Sequence, residues 1–143
     1  MNLSRFILHG LAAVVLAGVA FAAPAAAEDE PEVDCENAMT QFDMNVCSQR
    51  DYEKADKELN AQWAKTKKVM ADWDAQLDAE NKGAVEALLA AQRAWIQYRD
   101  NQCNAVGYSV WGGSMYPTIV ASCLEDLTRK RTKELEELAN GVE

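Results

Sequence analysis

From Tyr52 to Leu77 the chain steps by three or four residues through Tyr52, Ala55, Leu59, Trp63, Thr66, Met70, Trp73 and Leu77. This spacing places all eight on one face of a helix. Thr40-Gln-Phe-Asp43, just upstream, has the form of a capping box with Thr40 as N-cap. Asp78-Ala-Glu-Asn-Lys-Gly83 breaks the pattern and predicts a turn. A second stripe follows in Val85, Leu88, Leu89, Trp95, Ile96 and Cys103, and a third in Val120, Leu124, Leu127, Leu135 and Leu138. Between them, Gly107 to Pro117 holds three glycines, two tyrosines and a tryptophan without helical period, and Pro117 suits a first helical turn. Strand signals are absent. The expected fold is all-α: a long antiparallel helical hairpin plus a C-terminal helix.

The start of the chain has a different character. Arg5 precedes the apolar run from Leu11 to Phe21, which leads into Ala22-Ala-Pro-Ala-Ala-Ala27. A positive charge, an apolar core and an Ala-x-Ala end make up a secretory signal. The run is short for a spanning helix, which needs roughly 20 residues. Residues 1–27 are therefore expected to be cleaved, leaving no membrane anchor and a periplasmic or secreted protein. No cysteine precedes the cut, so lipoprotein processing is not expected. Cleavage removes Arg5 and His9, the only histidine, and takes the net charge from −9 to −10. Residues 28–39 form an acidic tail and lead-in, and residues 40–143 the helical domain.

Cys35, Cys47, Cys103 and Cys123 all lie beyond the cut. An even count in an exported chain reads as two disulfides. Three pairings are possible. Cys35–Cys47 and Cys103–Cys123 are favoured because each brackets one short segment. Without histidine, and with such wide spacing, the cysteines do not suit a metal site.

Several polar residues fall on the apolar faces. Gln92 and Arg99 lie within the second stripe, Arg131 within the third, and Asp56 and Asn45 on the inward side of the first helix. A buried arginine without a partner is costly, so Arg99 and Arg131 should each meet a carboxylate or carbonyl oxygens, with Asp56 the leading candidate for one of them. A buried polar network that fixes helix register is favoured over a ligand pocket.

No catalytic set emerges. Nucleophilic triads need a histidine that the cleaved chain lacks. Asp72, Asp74, Asp78 and Glu80 lack the central glycine and ligand spacing of a calcium loop. No phosphate-cradling motif is present, and the acidic balance argues against nucleic acid. The expectation is a non-enzyme with no cofactor.

Three ordered blocks carry a resemblance. The first runs Asp34-Cys35-Glu-Asn37-Ala-Met-Thr40-Gln41, then Met44-Asn45-Val-Cys47, then Ala55-Asp56-Lys-Glu-Leu59-Asn60. The second is Ala91-Gln92-Arg93-Ala94-Trp95-Ile96-Gln-Tyr98-Arg99-Asp100 with Cys103, and the third Gly112-Gly113-Ser114-Met-Tyr-Pro117 with Cys123-Leu124 and Leu127-Thr128-x-x-Arg131. Together they resemble the N-terminal domain of the family named for the lysozyme inhibitor LprI, over essentially the whole exported part. The resemblance implies an exported helical domain, with lysozyme inhibition as the activity that gave the family its name, and the −10 charge would steer such a chain toward a cationic lysozyme. The namesake is a lipoprotein, and this chain departs from it in lacking the anchoring cysteine. The alternative class is a structural or assembly module of the cell envelope.

The candidate partner-binding loop is residues 107–117, with Tyr108, Trp111, Ser114 and Tyr116 as contact residues. Loops on rigid scaffolds carry recognition, and aromatic residues dominate binding hot spots. The competing placement has Trp111 folded inward to cap the helix ends, and the usual burial of aromatic rings in small domains favours it.

Overall fold

The computed structural model describes residues 32–141; the expected signal segment and the first residues of the acidic tail lie outside them. The described residues form three α-helices: α1 (Gln41–Ala75), α2 (Ala84–Gly107) and α3 (Tyr116–Asn140). Short 3-10 turns cover Cys35–Asn37, Ala79–Asn81 and Tyr108–Val110, and no strand occurs among the described residues. Both disulfides are present, joining Cys35 to Cys47 and Cys103 to Cys123.

Helix α1 begins where Thr40 predicts. The Asp43 amide donates to Thr40 Oγ1 and the Thr40 amide to Asp43 Oδ2, both at 3.1 Å. These bonds favour the charged carboxylate, with the Thr40 side chain the largest influence, and hold the Asp43 carboxyl below its usual range. At 35 residues α1 is about 52 Å long, well beyond α2 and α3.

The turn at residues 76–83 reverses the chain, and a side chain closes it. Asp74, in the last turn of α1, accepts the amides of Gly83 and Ala84 at 2.9 Å and of Val85 at 3.1 Å. One carboxylate thus satisfies three donors at the start of α2, which has no side-chain cap of its own. These backbone bonds, with Gly83 first, lower the Asp74 pKa.

Although α1 and α2 are joined by the short turn, the most extensive packing is between α1 and α3. These two run parallel. Asn45 meets Thr118, Glu58 meets Arg129 at 3.0 Å, and Thr66 donates to the Leu135 carbonyl at 2.8 Å. Residue numbers rise together on both helices. The bundle is therefore up–down–up, with α2 antiparallel to both neighbours. A short connection sets direction and adjacency but not how much surface is shared.

Leu59, Met70, Leu88 and Leu135 form the buried apolar centre, with Trp63, Val85, Trp95 and Leu138 packed around it. The predicted stripes point inward along most of their length. Trp73, Leu77 and Ile96 are exceptions and remain exposed. Toward the other end the buried residues become small: Cys103, Gly107 and Ala121. A Cβ on Gly107 would lie 2.6 Å from Val120 Cγ2 and 2.7 Å from Tyr116 Cε2. Gly107 is thus the closing residue of α2 and the point where α3 approaches it, rather than the first residue of a loop.

Candidate partner-binding site

The connection between α2 and α3 is a chain of tight turns. Backbone amides of Trp111, Gly113 and Tyr116 donate to the carbonyls of Tyr108, Val110 and Gly113 at 3.0–3.2 Å. Gly112 sits at φ +76°, a conformation that side-chain-bearing residues rarely adopt. The Cys103–Cys123 disulfide spans the whole segment. From the facing helix, Asn45 Nδ2 donates to the Ser114 carbonyl at 3.3 Å, and Gln41 Nε2 donates to Thr118 Oγ1 at 3.0 Å. Tyr116 anchors the far side through its hydroxyl, 2.8 Å from Asn104 Oδ1.

Trp111 does not fold inward. It is 64% exposed, and Tyr108 is 58% exposed. The two rings stack with centroids 4.8 Å apart and planes 8° from parallel, while Tyr116 meets Trp111 edge to face at 5.3 Å. The reason is local. In a 3-10 turn residues three apart eclipse, so Tyr108 and Trp111 find each other directly. Trp111, Gly112, Gly113, Tyr116 and Pro117 border an open hollow of ≈ 400 Å³. Of the four predicted contact residues, Tyr108, Trp111 and Ser114 lie at the surface and Tyr116 is half-buried.

The predicted polar residues Asp56, Gln92, Arg99 and Arg131 fall into two linked groups. Arg99 is only 8% exposed. Its guanidinium lies 3.5 Å from Asp56 Oδ1, 2.8 Å from Asp100 Oδ1 and 3.5 Å from Thr128 Oγ1. The Tyr52 ring is 5.5 Å away and the Trp95 ring 5.0 Å. Burial pushes the Tyr52 phenol up, opposed by Arg99. Arg131 donates to Gln92 Oε1 at 3.0 Å, pairs with Glu134 at 2.8 Å and approaches the Trp95 ring at 6.0 Å. Trp95 therefore bridges two arginines, a role its place in an apolar stripe does not reveal. Among the described residues no buried side-chain polar atom lacks a partner. The cluster thus offers no unsatisfied group to a ligand.

A family model described as lysozyme inhibitor LprI matches residues 34–135. The chain belongs to the LprI lysozyme inhibitor family. The matched span runs from the Asp34 cap to the buried Leu135 and takes in the loop, both disulfides and both arginine clusters. An uncharacterized protein of Rhizobium meliloti (strain 1021) is 49% identical over 124 residues, covering 85% of this chain and 88% of that protein. In fold, the chain is similar to a DUF1311 family protein from Pseudomonas putida KT2440, whose crystal structure superposes with a TM-score of 0.63. That likeness covers 74% of this chain and all of the other at 21% identity, so it speaks to fold alone.

Proposed function

We propose that this LprI-family chain is an exported, non-catalytic lysozyme inhibitor that binds its target through the 107–117 loop. The observation that carries the reading is the exposed Tyr108–Trp111 stack on a segment pinned at both ends by Cys103–Cys123. A large apolar pair held rigid in solvent is costly to keep, and a rigid loop loses little entropy on binding. Trp and Tyr are the residues most enriched in binding hot spots. The acidic body supports a cationic target, since opposite charge raises encounter rates at low salt. The Arg5-to-Ala27 leader supports export. No helix among the described residues is long and apolar enough to cross a membrane.

Clearing of a bacterial wall suspension by purified lysozymes, with and without the cleaved protein, tests this. Slower clearing that is restored by Trp111→Ala or Ser114→Ala supports the loop as the contact. If no lysozyme is slowed, the chain falls to the envelope assembly-module reading. Clearing by the protein alone would make it a hydrolase.

A further inference from the structure

Charge is unevenly spread along this bundle. Residues 32–58 carry eight acids against three basic residues, residues 59–98 five of each, residues 99–124 one of each, and residues 125–141 five acids against four basic residues. Nearly all the net negative charge of the described residues therefore sits in the lead-in and the first half of α1. The loop between α2 and α3 is uncharged.

The way the acids are held differs as well. In α3, cations answer them: Arg129 pairs with Glu125 and Arg131 with Glu134. Lys68 and Asp72 do the same in α1 beyond its midpoint. Arg99 and Arg129 likewise answer Asp56 and Glu58 near the middle of α1, whereas Asp34, Asp43 and Glu53 find neutral partners. Asp34 accepts from Asn37 Nδ2 at 2.8 Å, Asp43 from the Thr40 amide at 3.1 Å, and Glu53 from Gln49 Nε2 at 2.9 Å. At Asp34 and Asp43 such hydrogen bonds favour the charged carboxylate without cancelling its charge.

The most exposed of the large apolar side chains lie at the same end. Met39 is 85% exposed and Phe42 57%, both beside the Thr40 cap. The Asn45–Ser114 and Gln41–Thr118 bonds tie this start of α1 to the aromatic loop. An apolar centre with a charged rim is the anatomy of a protein–protein interface.

We propose that the disulfide-stapled end of the bundle is a single docking face for a cationic protein, with Met39, Phe42, Tyr108 and Trp111 as its apolar centre and the acids of residues 32–53 as its rim. The partner's identity rests on the inhibitor reading; the face does not. Contact is end-on, so the lead-in and the first turn of α1 take part along with the loop.

Two charge reversals of equal size test the face against net charge alone. Glu36→Lys with Glu53→Lys alters the proposed rim, and Glu136→Lys with Glu137→Lys alters the exposed end of α3. With a cationic lysozyme as probe at low salt, the rim pair slows association on the order of tenfold and the α3 pair less than twofold. Phe42→Ala speeds dissociation, whereas Trp73→Ala, at the opposite end, does not. Equal slowing by both charge pairs, or none by the rim pair, overturns the proposal. If no lysozyme binds, the inhibitor reading fails, and amide shift mapping with tetralysine decides the face separately. Shifts concentrated in residues 32–53 uphold it, and shifts spread evenly along the three helices overturn it.

Discussion

The two ends of this bundle solve the same problem by different chemistry. Each must turn the chain from one helix into the next. At residues 76–83 a single carboxylate, Asp74, gathers three backbone amides and the turn carries no covalent staple. At residues 108–115 a disulfide spans the connection, backbone turns fill it and aromatic rings stack on its outside. The first end depends on ionisation. The second does not, and so it can leave its large side chains in solvent without loosening. An end held by covalent and backbone bonds is the one free to present a binding surface.

The comparison breaks most sharply at the staples. Cys103→Ala with Cys123→Ala should cost about 3 kcal/mol in the chain-entropy treatment of a loop of this length. That should lower the melting temperature by about 10 °C or more for a domain of this size. Graded reduction followed by alkylation and mass spectrometry should open Cys35–Cys47 first, because Cys35 is exposed while Cys103 is fully buried. Earlier opening of Cys103–Cys123 would mean that the loop end is not the protected one.

Between the ends, Arg99→Ala should destabilise by about 3 kcal/mol, since it strips a buried guanidinium from Asp56, Asp100 and two aromatic faces. Denaturant melts that match the parent would show that the cluster does not hold the helices together. Gly107→Ala probes the close approach of α2 and α3. A methyl 2.6 Å from Val120 must displace it, at about 1–3 kcal/mol, while the same change at Gly83, where nothing lies within 4 Å, meets no clash.

The smallest effect is the most diagnostic of the end without a disulfide. The folded-state pKa of Asp74 is depressed, so its contribution to stability is present above the unfolded carboxylate value of about 3.9. It is lost as pH falls through the lower folded value. Melting temperatures measured from neutral pH into this acid range should fall less steeply for Asp74→Ala than for the parent. Asp34 and Asp43 are depressed in the same way and retain part of the slope. Identical slopes would mean that the Asp74 carboxylate does not hold the turn closed.

How much of this was legible in the sequence follows the range of each interaction. The Thr40 capping box spans three residues and could be read directly. The cysteine pairing followed from short brackets, and the inward arginines from helical phase. Asp74 was legible only as one of several acids near a helix end, because its partners lie nine to eleven residues away and meet it only once the chain has turned back. Periodicity assigned faces to α1 and α3 without showing that these faces meet in parallel along the largest seam. The outward Trp111 was missed because general burial preference favours the core, whereas here Tyr108, three residues earlier, supplies a partner at the surface. Gly107 read as a loop residue, since nothing local marks a glycine whose role is to admit a distant tyrosine and valine.

The central claim is that the exposed aromatic loop is a binding surface and not part of the scaffold. Trp111→Ala separates the two when melting temperature and lysozyme inhibition are measured on the same preparation. The account predicts an unchanged melting temperature with inhibition largely lost. Full inhibition, or stability and inhibition lost in parallel, would contradict it.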